Sequence, residues 1–377
     1  VLVHYRIDGK QEDPMLRLVL TFLLAASGLA AAPLDTSVGR VEVAPVVRGL
    51  DEPWSVGFLP GGGLLITERD GRLLHVGRGG KHSEVAGLPP IAAVGQGGLL
   101  DVLVPRDFRQ RREIFLSYAR PEGRSAGTAV MRGRLSEDGG QLTQVKTIFS
   151  MTAPSRKGQH FGSRLVEARD GTLFLTIGDR GDRPSAQDVT RHNGSVLHLT
   201  RDGAPAPGNP DLGPDAQPEI WSYGHRNPQG AALDLQGDLW VNEHGARGGD
   251  EVNRIRRGAN YGWPVIAYGR HYSGAKIGEG TAKPGMEQPE HYWDPSIAPS
   301  GMMFYSGKLW PAWRGDLFVG SLKFDYISRL DGEPLREREQ IKSAATERVR
   351  DIREAPDGSI WFLSVGQGTL YRMTPAN

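Results

Sequence analysis

The chain of 377 residues contains no cysteine. That excludes disulfide bridges and thiolate metal sites, and it leaves the redox compartment open. An excess of either charge is also missing: 45 Lys and Arg stand against 44 Asp and Glu, the net charge is +1, and the basic residues are dispersed. Without a basic stripe, nucleic acid is not an expected partner. After position 33 there is no sustained helical period of apolar residues, which points away from helices. Turn formers are abundant instead, with 51 Gly and 26 Pro, and a hydrophobic content of 38% is that of a folded chain. The length allows two or three ordinary domains or one large all-β domain.

One apolar run stands out near the N-terminus. From Met15 the chain passes through a basic residue, Arg17, an apolar stretch, and small residues at 28, 30, 31 and 32, which is the layout of a secretory signal. The run is too short for a comfortable membrane span. Residues 15–32 are therefore expected to be a signal peptide and residues 1–14 an extension upstream of the true start. The mature protein is expected to be periplasmic or secreted, with no stable membrane insertion after cleavage; an uncleaved anchor is the alternative.

From residue 33 to the end, one theme recurs: a turn rich in Asp and Gly, then an apolar strand with aromatic residues. It is seen at 60–68, 170–175, 236–241, 315–319 and 357–362, and the strand at 113–118 lacks the Gly turn but falls where another copy is due. Each copy has a partner strand just upstream, at 54–58, 99–103, 163–167, 229–233, 300–304 and 349–353. Six paired copies, with room for further short strands between them, predict an all-β, six-bladed β-propeller of four-stranded antiparallel blades. The intervals stretch at 181–220 and 264–300, read as inserts riding on one face. The segment 41–47 is expected to pair with the last blade and close the ring.

In a propeller, the loops entering the innermost strands surround the central channel. Gln96, His160, Arg226 with Asn227, and Arg348 with Arg350 lie in that layer and are expected to converge. His160 stands in a loop before one strand and Asp179 just after the next. A neutral imidazole there suits proton abstraction from an alcohol, and the carboxylate suits fixing its tautomer. A purely structural loop histidine is the alternative. His192, His225, His244 and His271 lack the compact spacing of a zinc site.

Five segments occur in one order: 95–100 (GQGGLL), 160–165 (HFGSRL), 221–230 (WSYGHRNPQG), 242–251 (NEHGARGGDE) and 260–264 (NYGWP). Together they resemble the soluble PQQ-dependent aldose sugar dehydrogenases, relatives of soluble quinoprotein glucose dehydrogenase. The resemblance runs from about residue 40 to the C-terminus. It implies a six-bladed propeller with PQQ over the channel, Ca²⁺ as a second cofactor, and oxidation of an aldose sugar at C1 to the lactone. Electrons then pass to an acceptor, whether a quinone, a dye or a small redox protein. By the same resemblance His160 is the general base, Asp179 its orienting partner, and Arg226 with Asn227 lies beside the reacting quinone carbonyls. Gln96 and Tyr272 match further cofactor contacts, and Lys323, Arg348 and Arg350 match the cations that bind carboxylates and quinone. On strand geometry, residues 348 and 350 face the same way. Backbone carbonyls of Gly245 and Ala246 match the Ca²⁺ ligands beside PQQ, where the glucose enzyme has Gly-Pro. Glu251 and the Tyr261 carbonyl match a further Ca²⁺ site. Gln159 replaces an acid of the glucose enzyme.

Two other classes are compatible with a propeller. One is a Ca²⁺-dependent, lactonase-like hydrolase with His160 activating water, which has no need of the cluster Lys323, Arg348 and Arg350. The other is a non-catalytic carbohydrate-binding propeller, which has no need of His160.

Overall fold

Glycines at positive φ, such as Gly171 (88°), Gly237 (99°) and Gly358 (89°), close the tight turns that the sequence repeats. Other residues are strained in that region, so these turns select Gly. Each turn joins an inner strand to the second strand of the same blade. The computed structural model describes residues 33–376; the expected signal peptide and upstream extension lie outside the described residues. The described chain forms six antiparallel sheets. Their inner strands are Pro53–Phe58, Leu99–Leu103, Leu165–Glu167, Pro228–Leu233, Pro299–Phe304 and Val349–Glu354 in blades 1 to 6. Successive inner strands neighbour one another, and the sixth neighbours the first, so the ring is complete.

Closure comes from opposite ends of the described chain. The strand Gly39–Arg48 pairs with Thr369–Pro375 from Val41 opposite Pro375 to Arg48 opposite Thr369. This is the pairing expected for 41–47, and a short strand, Leu34–Thr36, adds a fifth member to blade 6. The stretch read as an insert at 181–220 contains the third strand of blade 3, Ser195–Leu199, after a 3₁₀ turn at Arg183–Gln187.

The core is divided among the six junctions between blades. Leu173, Leu175 and Ile177 pack toward blade 2, whereas Phe174 between them packs toward blade 4. Likewise Phe318 faces blade 6 and its neighbours Leu317 and Val319 face blade 4. The pleat sends alternate side chains to opposite faces. A second strand buried on both faces is therefore largely apolar, which is why these strands read as short hydrophobic runs.

The channel itself is filled by polar groups. Arg164, 1% exposed, reaches Asp101 Oδ1 and Asp351 Oδ1, each at 3.1 Å, and donates to the Gln229 carbonyl at 3.0 Å. Arg353 donates to Asp101 at 3.0 Å and to Asp351 at 3.0 Å. Two carboxylates and two guanidiniums thus offset one another's charge in a place where a lone charge would be costly.

Ring closure is testable by stability. Met373 is fully buried at the seam between blades 5 and 6, on the strand that pairs with Gly39–Arg48, whereas Arg48 is exposed on that closing strand. Met373→Ala is expected to cost about 2–5 kcal/mol in urea unfolding, and Arg48→Ala to stay within about 0.5 kcal/mol.

Candidate functional site

Where the chain enters the inner strands, the channel widens into a cavity of about 670 Å³. Its wall takes Trp54 from blade 1, Gln96 and Leu100 from blade 2, Phe161 and Gly162 from blade 3, and Asn227, Gln229 and His244 from blade 4. Leu322 and Lys323 come from blade 5, and Arg348 and Arg350 from the entry to blade 6. Of the residues expected to converge, Gln96, Asn227, Arg348 and Arg350 line this cavity, joined by Lys323, which the resemblance assigns to the cofactor; His160 and Arg226 are not in its wall. Lys323, Arg348 and Arg350 form no ion pair among the described residues. The Arg350 guanidinium donates to Gln229 Oε1 at 2.9 Å and lies 5.8 Å from the Trp54 ring centre. Burial, with repulsion from Arg164 and Arg348, lowers its pKa to about 9, so it stays charged at neutral pH. Glu52, Asp325 and Glu347 line the cavity as well, Glu52 paired with Arg69, so the wall is polar and carries both signs, with Lys323, Arg348 and Arg350 outside any ion pair.

His160, 8% exposed, is not itself in the wall, but Phe161 and Gly162 that follow it are. Its backbone N–H donates to Gln96 Oε1 at 2.7 Å, so Gln96 holds the loop as well as lining the wall. His160 Nδ1 donates to Asp179 Oδ1 at 2.6 Å. Nε2 has no hydrogen-bond partner among the described residues, which leaves one ring nitrogen available. The Asp179 carboxylate is fully buried and also accepts from the Gly181 N–H at 2.7 Å and from Trp263 Nε1 at 2.9 Å. Burial pushes Asp179 upward, but these hydrogen bonds and the imidazole outweigh it and hold the carboxyl below its usual range. For His160 burial is the largest effect and lowers its pKa; Asp179 opposes it, and the Arg226 and Arg180 guanidiniums add to it. At neutral pH the imidazole is therefore an unprotonated base with a fixed tautomer.

Backbone geometry makes this approach possible. His160 lies at φ 56°, in the left-handed region. A Cβ at position 178 would collide with the His160 carbonyl oxygen, so Gly178 admits the loop.

Arg226 lies beside a second, much smaller void of about 20 Å³, room for one ion-sized particle. Glu243, Gly245, Ala246, Glu251 and Tyr261 line it. All four residues assigned to Ca²⁺ by resemblance are thus gathered around one void. Burial, with Glu243 and Asp250 nearby, pushes the Glu251 carboxyl up to about 8. Asp250 holds the loop, accepting from the Gly245 and Ala298 N–H groups at 2.8 Å each. Arg226 donates to the His244 carbonyl at 3.1 Å, and its Nε is buried without a partner among the described residues. His244 donates from Nε2 to the Pro299 carbonyl at 2.8 Å, and its Nδ1 takes a hydrogen bond from Asn227 at 3.3 Å. Burial and the guanidiniums of Arg226 and Arg350 lower its pKa to about 3.

Two expectations meet a different geometry. Tyr272 is 71% exposed and is not part of the cavity wall. Arg348 precedes the strand Val349–Glu354 at φ 51°, and the pairing register shifts between Val349 and Asp351. Arg348 and Arg350 share the cavity through that irregular entry, not through the pleat. Sequence reasoning missed Glu243, Trp54 and Trp263, as well as the buried Arg180. Glu243 and Trp263 were inside quoted motifs, where their own side-chain chemistry was the available signal.

Comparison with known proteins follows the same lines. The family model described as glucose / sorbosone dehydrogenase matches residues 50–372. The aldose sugar dehydrogenase of Escherichia coli is 41% identical over 369 residues, covering 95% of this chain and 98% of that protein. The apo crystal structure of the soluble E. coli aldose sugar dehydrogenase superposes with a TM-score of 0.85 over 89% of this chain and 100% of the other. The PQQ-bound aldose sugar dehydrogenase of Streptomyces coelicolor, 26% identical, superposes with a TM-score of 0.75 over 91% of this chain and 99% of the other. With its fold, its ordered motifs and nearly its whole described length matched, this chain belongs to the glucose / sorbosone dehydrogenase family of oxidoreductases.

Proposed function

We propose that this protein oxidises aldose sugars at C1 to lactones, using PQQ and Ca²⁺. The observation that carries the proposal is a buried, oriented, unprotonated histidine beside a cavity lined by Lys323, Arg348 and Arg350, three cations that form no ion pair among the described residues. Support also comes from the PQQ-bound structure of the Streptomyces coelicolor relative.

The residues present fit both cofactors. PQQ is a planar tricarboxylate o-quinone that, when bound, supplies the hydride acceptor. Lys323, Arg348 and Arg350 offer charge for its carboxylates, and Arg adds paired donors where Lys gives a point charge. The unpartnered Nε of buried Arg226 is a donor available to a polar group at this edge of the site, and such preorganised donors stabilise charge that develops on an acceptor. Ca²⁺ prefers oxygen ligands. The Glu243 and Glu251 carboxylates and the carbonyls of Gly245, Ala246 and Tyr261 supply them around the small void, and a cation there would offset the crowding that raises the Glu251 pKa.

The protein's own part is proton transfer. His160 Nε2 accepts the proton of the C1 hydroxyl as the C1–H bond is given up, and Asp179 stabilises the imidazolium through Nδ1. The final electron acceptor is a quinone, a dye or a small redox protein. Export to the periplasm or outside the cell accords with the expected leader, and among the described residues no helix is long and apolar enough to cross a membrane. A lactonase-like reading leaves the free cations of the cavity unused, and a carbohydrate-binding reading leaves the oriented base unused.

Reconstitution of the purified protein with PQQ and Ca²⁺, followed by dye reduction with a panel of aldoses, tests the proposal. His160→Ala should keep PQQ binding and lower turnover by roughly 100-fold or more; unchanged turnover would remove His160 from the base role. Asp179→Asn presents an amide NH₂ to at least one of the three donors now bound by the carboxylate. Its kcat should fall by roughly 100-fold to 10,000-fold, with PQQ affinity little changed in a fluorescence titration. Arg350→Met should do the reverse, weakening PQQ binding by roughly 10-fold or more, and equal affinity would show that this cation does not hold the cofactor.

A further inference from the structure

Arg180 is an arginine with 0% exposure, and among the described residues no carboxylate lies within ion-pair distance of it. Burying a guanidinium without an acid is costly, so its other contacts have to account for it. Two of its three carbonyl partners lie on the loop that carries the base and the third on blade 2, while Nε has no partner among the described residues. Nη1 donates to the Gln159 carbonyl, and Nη2 donates to the Lys157 carbonyl at 2.9 Å and the Ala126 carbonyl at 3.2 Å. The guanidinium carbon lies 3.3 Å from the centre of the Phe161 ring, on the residue after His160. Arg180 itself follows Asp179 and stands at φ 54°. Lys157 returns the connection, its Nζ donating to the Gly181 carbonyl at 2.5 Å.

We propose that Arg180 is a positioning residue for the base: its guanidinium ties the loop carrying His160 to the loop carrying Asp179, and it supplies a fixed positive charge beside the imidazole. The inference rests on the reading of His160 as the base. Carbonyls on both sides of the cation's reach would be left unpaired by an apolar replacement, and the loop at 157–161 would lose its tether. The planar fork matters separately from the charge, because an ammonium in its place cannot span the same three carbonyls in one plane. The charged and titratable groups facing His160 are Asp179, which favours the imidazolium, and Arg226 and Arg180, which oppose it; His244 is close enough to feel the His160 charge. Arg180 keeps its own charge at neutral pH, since burial lowers its pKa only to about 10. Removing that charge raises the pKa of His160, so the base becomes protonated at higher pH and is lost from a wider acid range.

The test uses Arg180→Met and Arg180→Lys with two readouts. Nitrogen-15 NMR of the histidines in the cofactor-free protein, assigned with His160→Asn, follows the imidazole without any need for turnover. In Arg180→Met the His160 titration should move up by on the order of one pH unit. After reconstitution, the acid limb of kcat/KM should move the same way, with kcat lower by roughly 10-fold or more. Arg180→Lys keeps a charge and loses the fork, so the titration should stay near wild type while kcat falls. A lower melting temperature with His160 titration and turnover per folded site within about two-fold of wild type in both variants would overturn the inference and leave Arg180 a structural residue. If Arg180→Met does not fold, Arg180→Lys decides: unchanged kcat overturns it. A shifted imidazole in a protein that oxidises no aldose supports the link between Arg180 and His160 and places the failure in the function reading.

Discussion

The hydrogen bond from His160 Nδ1 to Asp179 Oδ1 is the constraint around which the site is built. At 2.6 Å, with the carboxylate fully buried, it fixes which ring nitrogen carries the proton and leaves Nε2 for a substrate. The bond persists in an apolar setting because Asp179 has two further donors, Trp263 and the Gly181 N–H, and so remains an anion where burial alone would neutralise it. Burial acts on the imidazole in the opposite sense and keeps it neutral. One buried pair therefore holds an ionised acid next to an unprotonated base, the state that proton abstraction requires.

The propeller supplies the surroundings of this pair. Its apolar side chains are spent at the six blade junctions, and the channel is left to polar groups. Below the cavity, Asp101, Asp351, Arg164 and Arg353 neutralise one another. Above them, Lys323, Arg348 and Arg350 form no ion pair among the described residues, and burial, with repulsion from Arg164 and Arg348, lowers the Arg350 pKa. The same fold thus contains a layer of paired charges and a layer of unpaired cations within a few residues along the inner strands. Positive charge without a partner is a standing cost, and an anionic ligand in the cavity relieves it.

Much of this was legible in the sequence, and the rest was not for identifiable reasons. The first two strands of each blade showed because the second strand is buried on both faces and the turn before it usually needs Gly. Outer strands carry no such mark: His82–Glu84 is exposed throughout, and Arg336–Gln340 alternates exposed residues with half-buried ones, all of them polar. The convergence of Gln96, Asn227, Arg348 and Arg350 followed from their place before the inner strands, although the pleat was the wrong reason for pairing 348 with 350. Arg180 could not be found, since an arginine next to a turn reads as a surface charge and nothing in its sequence reports burial. Trp263 was visible only as part of a motif; its role appears when its indole N–H is seen to reach Asp179 across 84 positions of sequence.

The central claim is that an aldose gives up its C1 hydrogen in the cavity beside His160. The most direct measurement is anaerobic single-turnover absorbance of the PQQ-loaded, Ca²⁺-loaded protein mixed with an aldose and with the same sugar deuterated at C1. The account predicts reduction of the bound PQQ in one turnover, slowed several-fold by the deuterium. Bound PQQ that no aldose reduces, or reduction indifferent to deuterium at C1 with hydride transfer shown to be rate-limiting, would contradict it.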